Sequence, residues 1–216
     1  MTDEISDRLA KCYTGVLHDV MRKMGLRDFT LPPRLRPLIP ERAMAGPAFT
    51  ILGKVDPTAD AHETLLAWTG LLSQCPHGHI WTNQPNDGTV AHMGELSAET
   101  LQDKGVRGAI ADGMIRDADF LLKIDFQTWC SGFTPRDIVG WWLPAAVNVP
   151  IRIGEVAIAP GDYMVGDRDG LVRIPKSQVT EILEAAETDI ATESAIRSAI
   201  RGGMDPQQAY LKYGKF

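Results

Sequence analysis

The chain has no uninterrupted run of about 18 apolar residues, the least that a helix needs to cross a bilayer. Its opening residues, MTDEISDRLA, carry acids where a secretory leader has a basic segment followed by an apolar one. Both absences set the expectation of a cytoplasmic chain that does not engage a membrane. Cysteine is scarce. Cys12, Cys75 and Cys130 lie far apart, without the short paired spacings of a zinc site or a disulfide framework, so reduced thiols are expected. Positive charge is not in excess. The 22 Lys and Arg stand against 28 Asp and Glu, a net charge of -6, and the small basic cluster of Arg34 and Arg36 cannot reverse repulsion from a phosphate backbone. Nucleic acid is therefore not expected as a partner. No GxGxxG, GxxxxGK[ST] or GxSxG pattern stands at a strand–helix junction, which removes support for the common nucleotide folds and the serine-hydrolase elbow. His18, His62, His77, His79 and His92 lack zinc-protease spacing, and packed or surface roles are expected for them.

What is present is an ordinary globular composition, 216 residues of which 44% are hydrophobic, enough for a substantial core in one domain spanning 1–216. Ile5, Leu9, Tyr13, Val16, Val20 and Met24 recur at helical spacing before Gly25, predicting one amphipathic first helix. Four prolines between Leu31 and Pro40 predict an extended surface connector leading into a strand over 45–52. A helix is expected over 59–72, a buried strand over 78–82, and a loop over 83–88. Residues 96–104 read as a helix, Gly105 as its cap and 107–111 as a strand. From Phe126 to Ile174, runs such as Ile138-Val139, 147–153, 156–158, Tyr163-Met164 and 171–174 alternate with turn residues and predict sheet. Val179, Ile182, Leu183, Ala186 and Ile190 restore helical spacing up to Gly202-Gly203, with a change of apolar phase after Ile190. The order of elements reads as α+β. Trp81, Trp141 and Trp142 read as core or interface aromatics.

The densest polar signal is Asp112-Gly113-Met114-Ile115-Arg116-Asp117, set just after a predicted strand, where a loop can hold side chains on rigid support. An Asp carboxylate is a hard oxygen ligand suited to Mg²⁺ or Mn²⁺, and a guanidinium can hold a carboxylate or an enolate by two parallel hydrogen bonds. Gly94-Glu95-Leu96-Ser97 opens a predicted helix, where free N–H groups and the helix dipole favour a bound carboxylate. Each segment alone is also what a surface ion pair or an ordinary helix cap looks like. The acid-rich turn Gly166-Asp167-Arg168-Asp169-Gly170 is sufficiently explained by hairpin geometry.

Taken in order, Ala45 to Thr50, Gly94-Glu95-Leu96, Gly108 to Asp117, Pro160-Gly161-Asp162 and Gly166 to Gly170 make a recognisable set. The chain resembles the family of 4-hydroxy-4-methyl-2-oxoglutarate aldolases and RraA-like proteins, from the first helix to about Pro175. The resemblance implies a compact α/β/β sandwich like a swivelling phosphohistidine domain, assembled as a homotrimer or homohexamer with sites between subunits and the helix 177–201 at an interface. It further implies a class II pyruvate aldolase that cleaves a 4-hydroxy-2-oxo acid such as 4-hydroxy-4-methyl-2-oxoglutarate, with oxaloacetate decarboxylase side activity. Asp117 would ligate Mg²⁺ or Mn²⁺ directly, Arg116 would bind the pyruvyl group, and amides from Gly94 to Ser97 would hold its carboxylate. Glu95 and a neighbour's Glu193 would complete the water shell, with Glu95 and Arg116 as the catalytic pair. Glu95 stands where the aldolase pattern has Asp, and the extra methylene moves the carboxylate by about an ångström. The other role that the resemblance implies is a non-catalytic ring that binds and inhibits a ribonuclease complex; the charged residues Glu95, Arg116 and Asp117 favour the enzyme.

Overall fold

The computed structural model describes residues 4–215. Helices α1 (Glu4–Leu9) and α2 (Thr14–Lys23) lead to strands β1 (Arg36–Pro37) and β2 (Met44–Val55), then to α3 (Ala61–Gln74) and β3 (Ile80–Gln84). The middle of the chain holds α4 (Glu95–Asp103), β4 (Gly108–Ala111), β5 (Met114–Ile115), α5 (Ala118–Lys123), β6 (Thr128–Cys130) and β7 (Gly132–Phe133). It ends with β8 (Trp142–Val147), β9 (Ile151–Ile153), β10 (Val156–Ile158), β11 (Tyr163–Gly166), β12 (Leu171–Ile174), α6 (Val179–Arg201) and α7 (Pro206–Tyr213).

The main sheet runs β1-β6-β4-β3-β2-β11-β12, with β8 also paired to β2. Its centre, β2-β3-β4-β6, is parallel, and parallel strands covered on both faces become nearly uniform apolar runs. Accordingly β4, Gly-Ala-Ile-Ala, is buried at every position. One face packs Trp68 and Leu71 of α3, Leu101 of α4 and Leu121 of α5 against Phe49, Trp81 and Trp142. The opposite face packs Met44, Ile80, Ile110 and Trp129 against Ile153 and Val156 of the β9–β10 hairpin. A third cluster joins α1, α2 and α6 to β11 and β12 through Leu9, Leu17, Met21, Val165, Ile174, Ile182 and Leu183. The expected α/β/β sandwich is thus observed.

Several local expectations need correction. The first helix is two: Ala10 to Tyr13 leave the helical path, and the chain restarts at Thr14. The reason lies in the β11–β12 turn, where Asp167 accepts hydrogen bonds from the Thr14 N–H and hydroxyl, both at 2.7 Å. Such a cap stabilises a helix start by about 1 kcal/mol, and apolar spacing cannot reveal it. The 31–40 connector is not wholly a surface segment, since Leu31 and Leu35 are buried and Arg36–Pro37 pair with β6. Asn83 and Gln84 belong to β3, not to the following loop, and Asn83 is buried. Ile138-Val139 forms no strand. Helix α7 has no counterpart in the apolar pattern; Asp205 caps it, accepting from the Gln207 and Gln208 N–H groups.

Gly53 is the tightest point of the sheet. The β2–β8 register shifts between Leu52 and Gly53, and a Cβ at Gly53 would come within 2.1 Å of the Trp142 ring. The indole seated there donates from Nε1 to the Pro85 carbonyl at 2.8 Å, anchoring the loop that follows β3. Among the described residues no helix is long and apolar enough to cross a membrane.

Candidate functional site

Parallel strands send their C-terminal ends to one edge, which is where open α/β sheets place ligands. Here the segments after β3, β4 and β6 deliver Met93-Gly94, Arg116-Asp117 and Asp137 to a common cleft of about 610 Å³. Backbone hydrogen bonds join the three segments. The Arg116 N–H donates to the Met93 carbonyl at 2.9 Å, the His92 N–H to Met114 at 2.8 Å, and the Ala91 N–H to Arg136 at 2.8 Å. β5 lies beside β7 and bridges to Ala91, so the Arg116 backbone is held from both sides.

Asp117 has left-handed backbone angles, φ 56° and ψ 35°, rare for a residue other than glycine and costing about 1 to 2 kcal/mol. Although it stands at the N-cap position of α5, its side chain does not cap that helix. Instead its Oδ2 accepts from the Glu95 N–H at 3.1 Å and so caps α4, whose own N-cap residue, Gly94, has no side chain. A Cβ on Gly94 would lie 2.8 Å from that same Oδ2 and 3.1 Å from Arg116 Cγ. Glycine is thus required by close approach, its own backbone being extended.

Arg116 lies between two carboxylates, with Nε 3.4 Å from Asp117 Oδ2 and Nη1 3.5 Å from Asp137 Oδ2. Both distances are long for charge-assisted hydrogen bonds, so its donors stay available. The carboxylate of Glu95 and the second oxygen of Asp117 have no hydrogen-bond partner among the described residues, nor do the N–H groups of Leu96 and Ser97. The cleft thus presents a guanidinium, free helix-start amides and two carboxylates with oxygens left free. Its other side is formed by Leu65, Trp68 and Leu72 of α3 together with Ile138 and Val139.

Beside the site lies a polar cluster centred on Asp87. Asp87 accepts from the N–H groups of Thr89 and Val90, the Thr89 hydroxyl and the Trp141 indole at 2.8 to 3.2 Å, and contacts His92 Nε2 at 3.2 Å. Burial pushes the Asp87 carboxyl up, but these hydrogen bonds outweigh it and hold the group well below the usual carboxylate range. Burial lowers the His92 pKa, only partly offset by the hydrogen bond to Asp87.

The structure brings together Gly94, Glu95, Leu96, Ser97, Arg116 and Asp117 as anticipated from the sequence. It does not bring Glu193 to them within one chain. Glu193 lies on α6, ion-paired to Lys215 at 2.7 Å and hydrogen-bonded to the Tyr13 hydroxyl, beside a separate depression lined by Ile196 and Arg197. Asp112 is also turned away from the cleft, taking three hydrogen bonds of 2.7 to 3.0 Å from Arg34. Asp137 and the apolar wall were missed. The available signal for the wall was α3 itself, whose Leu65 and Leu66 lie outside its buried positions Thr64, Trp68, Leu71 and Leu72 and remain exposed. Among the described residues no cluster of three His, Cys, Asp or Glu side chains could hold a metal.

Residues 5–173 match the model of the RraA-like family, described as Aldolase/RraA, and the chain belongs to that family. A protein of Halalkalibacterium halodurans, provisionally named as a 4-hydroxy-4-methyl-2-oxoglutarate aldolase, is 29% identical over 87% of this chain and 85% of its own length. An uncharacterized protein from Pseudomonas syringae pv. tomato superposes with a TM-score of 0.87 at 25% identity, covering 99% of this chain and 95% of that one. Streptomyces coelicolor RraAS2, described as an unusual member of the RNase ES inhibitor RraA protein family, superposes with a TM-score of 0.80 at 26% identity over 91% of this chain and 97% of its own.

Proposed function

We propose that this protein is a divalent-metal-dependent lyase that releases pyruvate from a 4-hydroxy-2-oxo acid of the 4-hydroxy-4-methyl-2-oxoglutarate type. The observation that carries the reading is the convergence of Arg116, with its donors free, on the capped start of α4 through the strained Asp117. The amides of Leu96 and Ser97 hold the pyruvyl carboxylate at the positive end of the α4 dipole. Arg116 donates to the 2-oxo oxygen, where negative charge grows as the C3–C4 bond breaks. The Glu95 carboxylate, through a held water, receives the proton of the 4-hydroxyl. The donor set fits a hard cation bound mostly through water, since Asp117 and Glu95 each keep carboxylate oxygens free. Asp117 would hold Mg²⁺ or Mn²⁺, with Glu95 and a second copy's Glu193 completing its water shell, and the ion would supply positive charge where the enolate develops. Oxaloacetate decarboxylation passes through the same enolate and is expected as a side activity.

This reading includes a homotrimer or homohexamer with α6 at the contact, because within one chain Glu193 lies away from the cleft and could join it only from another copy. Native mass spectrometry checks it, and a monomer would remove Glu193 from the site. The catalytic test is pyruvate release from 4-hydroxy-4-methyl-2-oxoglutarate and from oxaloacetate, with Mg²⁺, with EDTA, and in Arg116→Ala and Asp117→Ala. Metal-dependent release lost in both variants is expected. Release that survives EDTA and both substitutions would sink the assignment. The similarity to RraAS2 favours a second reading, a ribonuclease-complex regulator. It predicts inhibition of an RNase E-type endonuclease by wild type and by Arg116→Ala alike.

A further inference from the structure

The second half of α6 carries cations that the rest of the chain does not use. Glu193, Arg197 and Arg201 recur at four-residue spacing, which sets them in line along one helix face, and they border one depression with Ile196 and Ile200. A Glu followed four residues later by an Arg is a favourable helical pair. Here that pair is not formed, because Glu193 turns to Lys215 and the Tyr13 hydroxyl. The Arg197 and Arg201 side chains are exposed and have no partner among the described residues. Elsewhere arginines close on acids, as Arg34 does on Asp112 and Arg173 on Asp162.

The cleft has the opposite charge. Arg116 is the one cation among its described lining residues, against the acids Glu95, Asp117 and Asp137. Exposed Leu65 and Leu96 flank it, while α7, packed on α6, exposes Tyr210 and Leu211. An acidic surface and a basic one on the same chain, each edged with apolar side chains, complement each other between copies, and a contact between unlike surfaces can close a ring. With a second copy's Glu193 at the water shell of the site, Arg197 stands one turn further along the same face, about 6 Å on. That length is comparable to the separation of the two carboxylates in 4-hydroxy-4-methyl-2-oxoglutarate. The α4 amides and Arg116 take the pyruvyl end, which leaves the far carboxylate without a cation from its own chain. We infer that Arg197 of a second copy binds this far carboxylate through two parallel N–H···O bonds and makes the enzyme selective for dicarboxylate 4-hydroxy-2-oxo acids. The inference rests on the lyase reading and on its contact between copies. Arg197 touches only the end of the substrate remote from the bond that breaks, so it governs binding more than cleavage.

The test measures pyruvate release by the purified, Mg²⁺-loaded protein from 4-hydroxy-4-methyl-2-oxoglutarate and from the monocarboxylate 4-hydroxy-2-oxohexanoate. Arg197→Ala is expected to lower the dicarboxylate-to-monocarboxylate ratio of kcat/KM by about 30-fold, through KM, and Arg197→Lys by less. Calorimetric binding of 2-oxoglutarate, which has the far carboxylate but no 4-hydroxyl, is expected to weaken by a similar factor relative to 2-oxopentanoate. Mixed oligomers then identify the chain that supplies the cation. Arg116→Ala and Arg197→Ala subunits, co-expressed and shown by native mass spectrometry to mix, are expected to regain dicarboxylate turnover above either variant alone. In them some sites pair an intact Arg116 with an intact Arg197 from the other chain. A ratio unchanged in Arg197→Ala, an equal loss on both substrates, or no recovery in the mixed oligomers overturns the proposal while leaving the lyase reading standing. No pyruvate from either substrate with wild type overturns the lyase reading and this inference with it.

Discussion

Asp87 and Asp117 belong to neighbouring loops at the same edge of the sheet, yet the protein treats them in opposite ways. Asp87 is buried at the centre of a turn, receives four hydrogen bonds from Thr89, Val90 and Trp141, and contacts His92. Asp117 is about a third exposed, takes one backbone hydrogen bond, and reaches its position through a left-handed backbone that most residues avoid. A carboxylate whose lone pairs are all used can brace a loop but can do little for a ligand. One held in strain with an oxygen free can bind what arrives. The Arg34–Asp112 pair supplies a control: its guanidinium closes three hydrogen bonds on one carboxylate, whereas Arg116, four residues further along, closes none with either of its acids.

This contrast predicts different losses on substitution. The largest is expected at Asp117 or Arg116, where replacement by Ala lowers kcat/KM for pyruvate release by about 10³-fold, roughly 4 kcal/mol, with little change in melting temperature. Parallel activity and thermal-shift measurements check this; a large fall in melting temperature would put Asp117 in the same structural class as Asp87.

Asp87→Ala is expected to cost about 3 kcal/mol of stability, because it leaves buried donors without an acceptor. Denaturant unfolding measures it. The same cluster fixes the sign of the acid response. Asp87 is depressed on folding, so its contribution is present above the unfolded value of about 3.9 and is lost as pH falls toward its folded value. His92 is also depressed, so below about pH 6.5 the unfolded chain takes a proton that the folded chain refuses. Both make wild-type stability fall on acidification, and His92→Gln should remove the part that begins near pH 6.5.

Gly94→Ala comes next, at about tenfold in kcat/KM, since a Cβ there pushes Asp117 Oδ2 and the stem of Arg116 without disturbing an extended backbone. The smallest effect is expected for Arg34→Ala, within about 1 kcal/mol of stability and with unchanged turnover, because that guanidinium is half exposed. A large loss of turnover there would show that the Asp112 pair reaches the cleft after all.

The sequence made legible those features that depend on neighbours along the chain. The buried β4 run, the turn after it, the free start of α4 and the apolar spacing of α6 all follow from a few adjacent residues. What escaped depends on partners far away. The break between α1 and α2 is set by Asp167, and the wall opposite Arg116 is assembled from Trp68 and Val139, on either side of it in sequence. The left-handed turn at Asp117 escaped for a related reason. Asp is one of the few residue types that adopt this conformation, as Asp28 and Asp125 also do, but which Asp takes it is decided by contacts such as the one with the Glu95 N–H across the loop. Glu193 was read as a neighbouring subunit's acid, and within one chain it is bound to Lys215 and Tyr13.

The long strand β2 also bears on how the protein is born. Its first residues, Met44 to Pro47, pair with β11, and its last, Ile51 to Val55, pair with β8, so both stretches of that edge wait for segments made much later. A nascent chain arrested before Trp142 has the parallel centre of the sheet available but nothing to close β2 on its other side. Non-local pairing of this kind slows folding and prolongs exposure of an open edge. During synthesis the protein is therefore most exposed to aggregation in the interval before Gly166 leaves the ribosome, and limited proteolysis of arrested chains should find β2 protected only after that point.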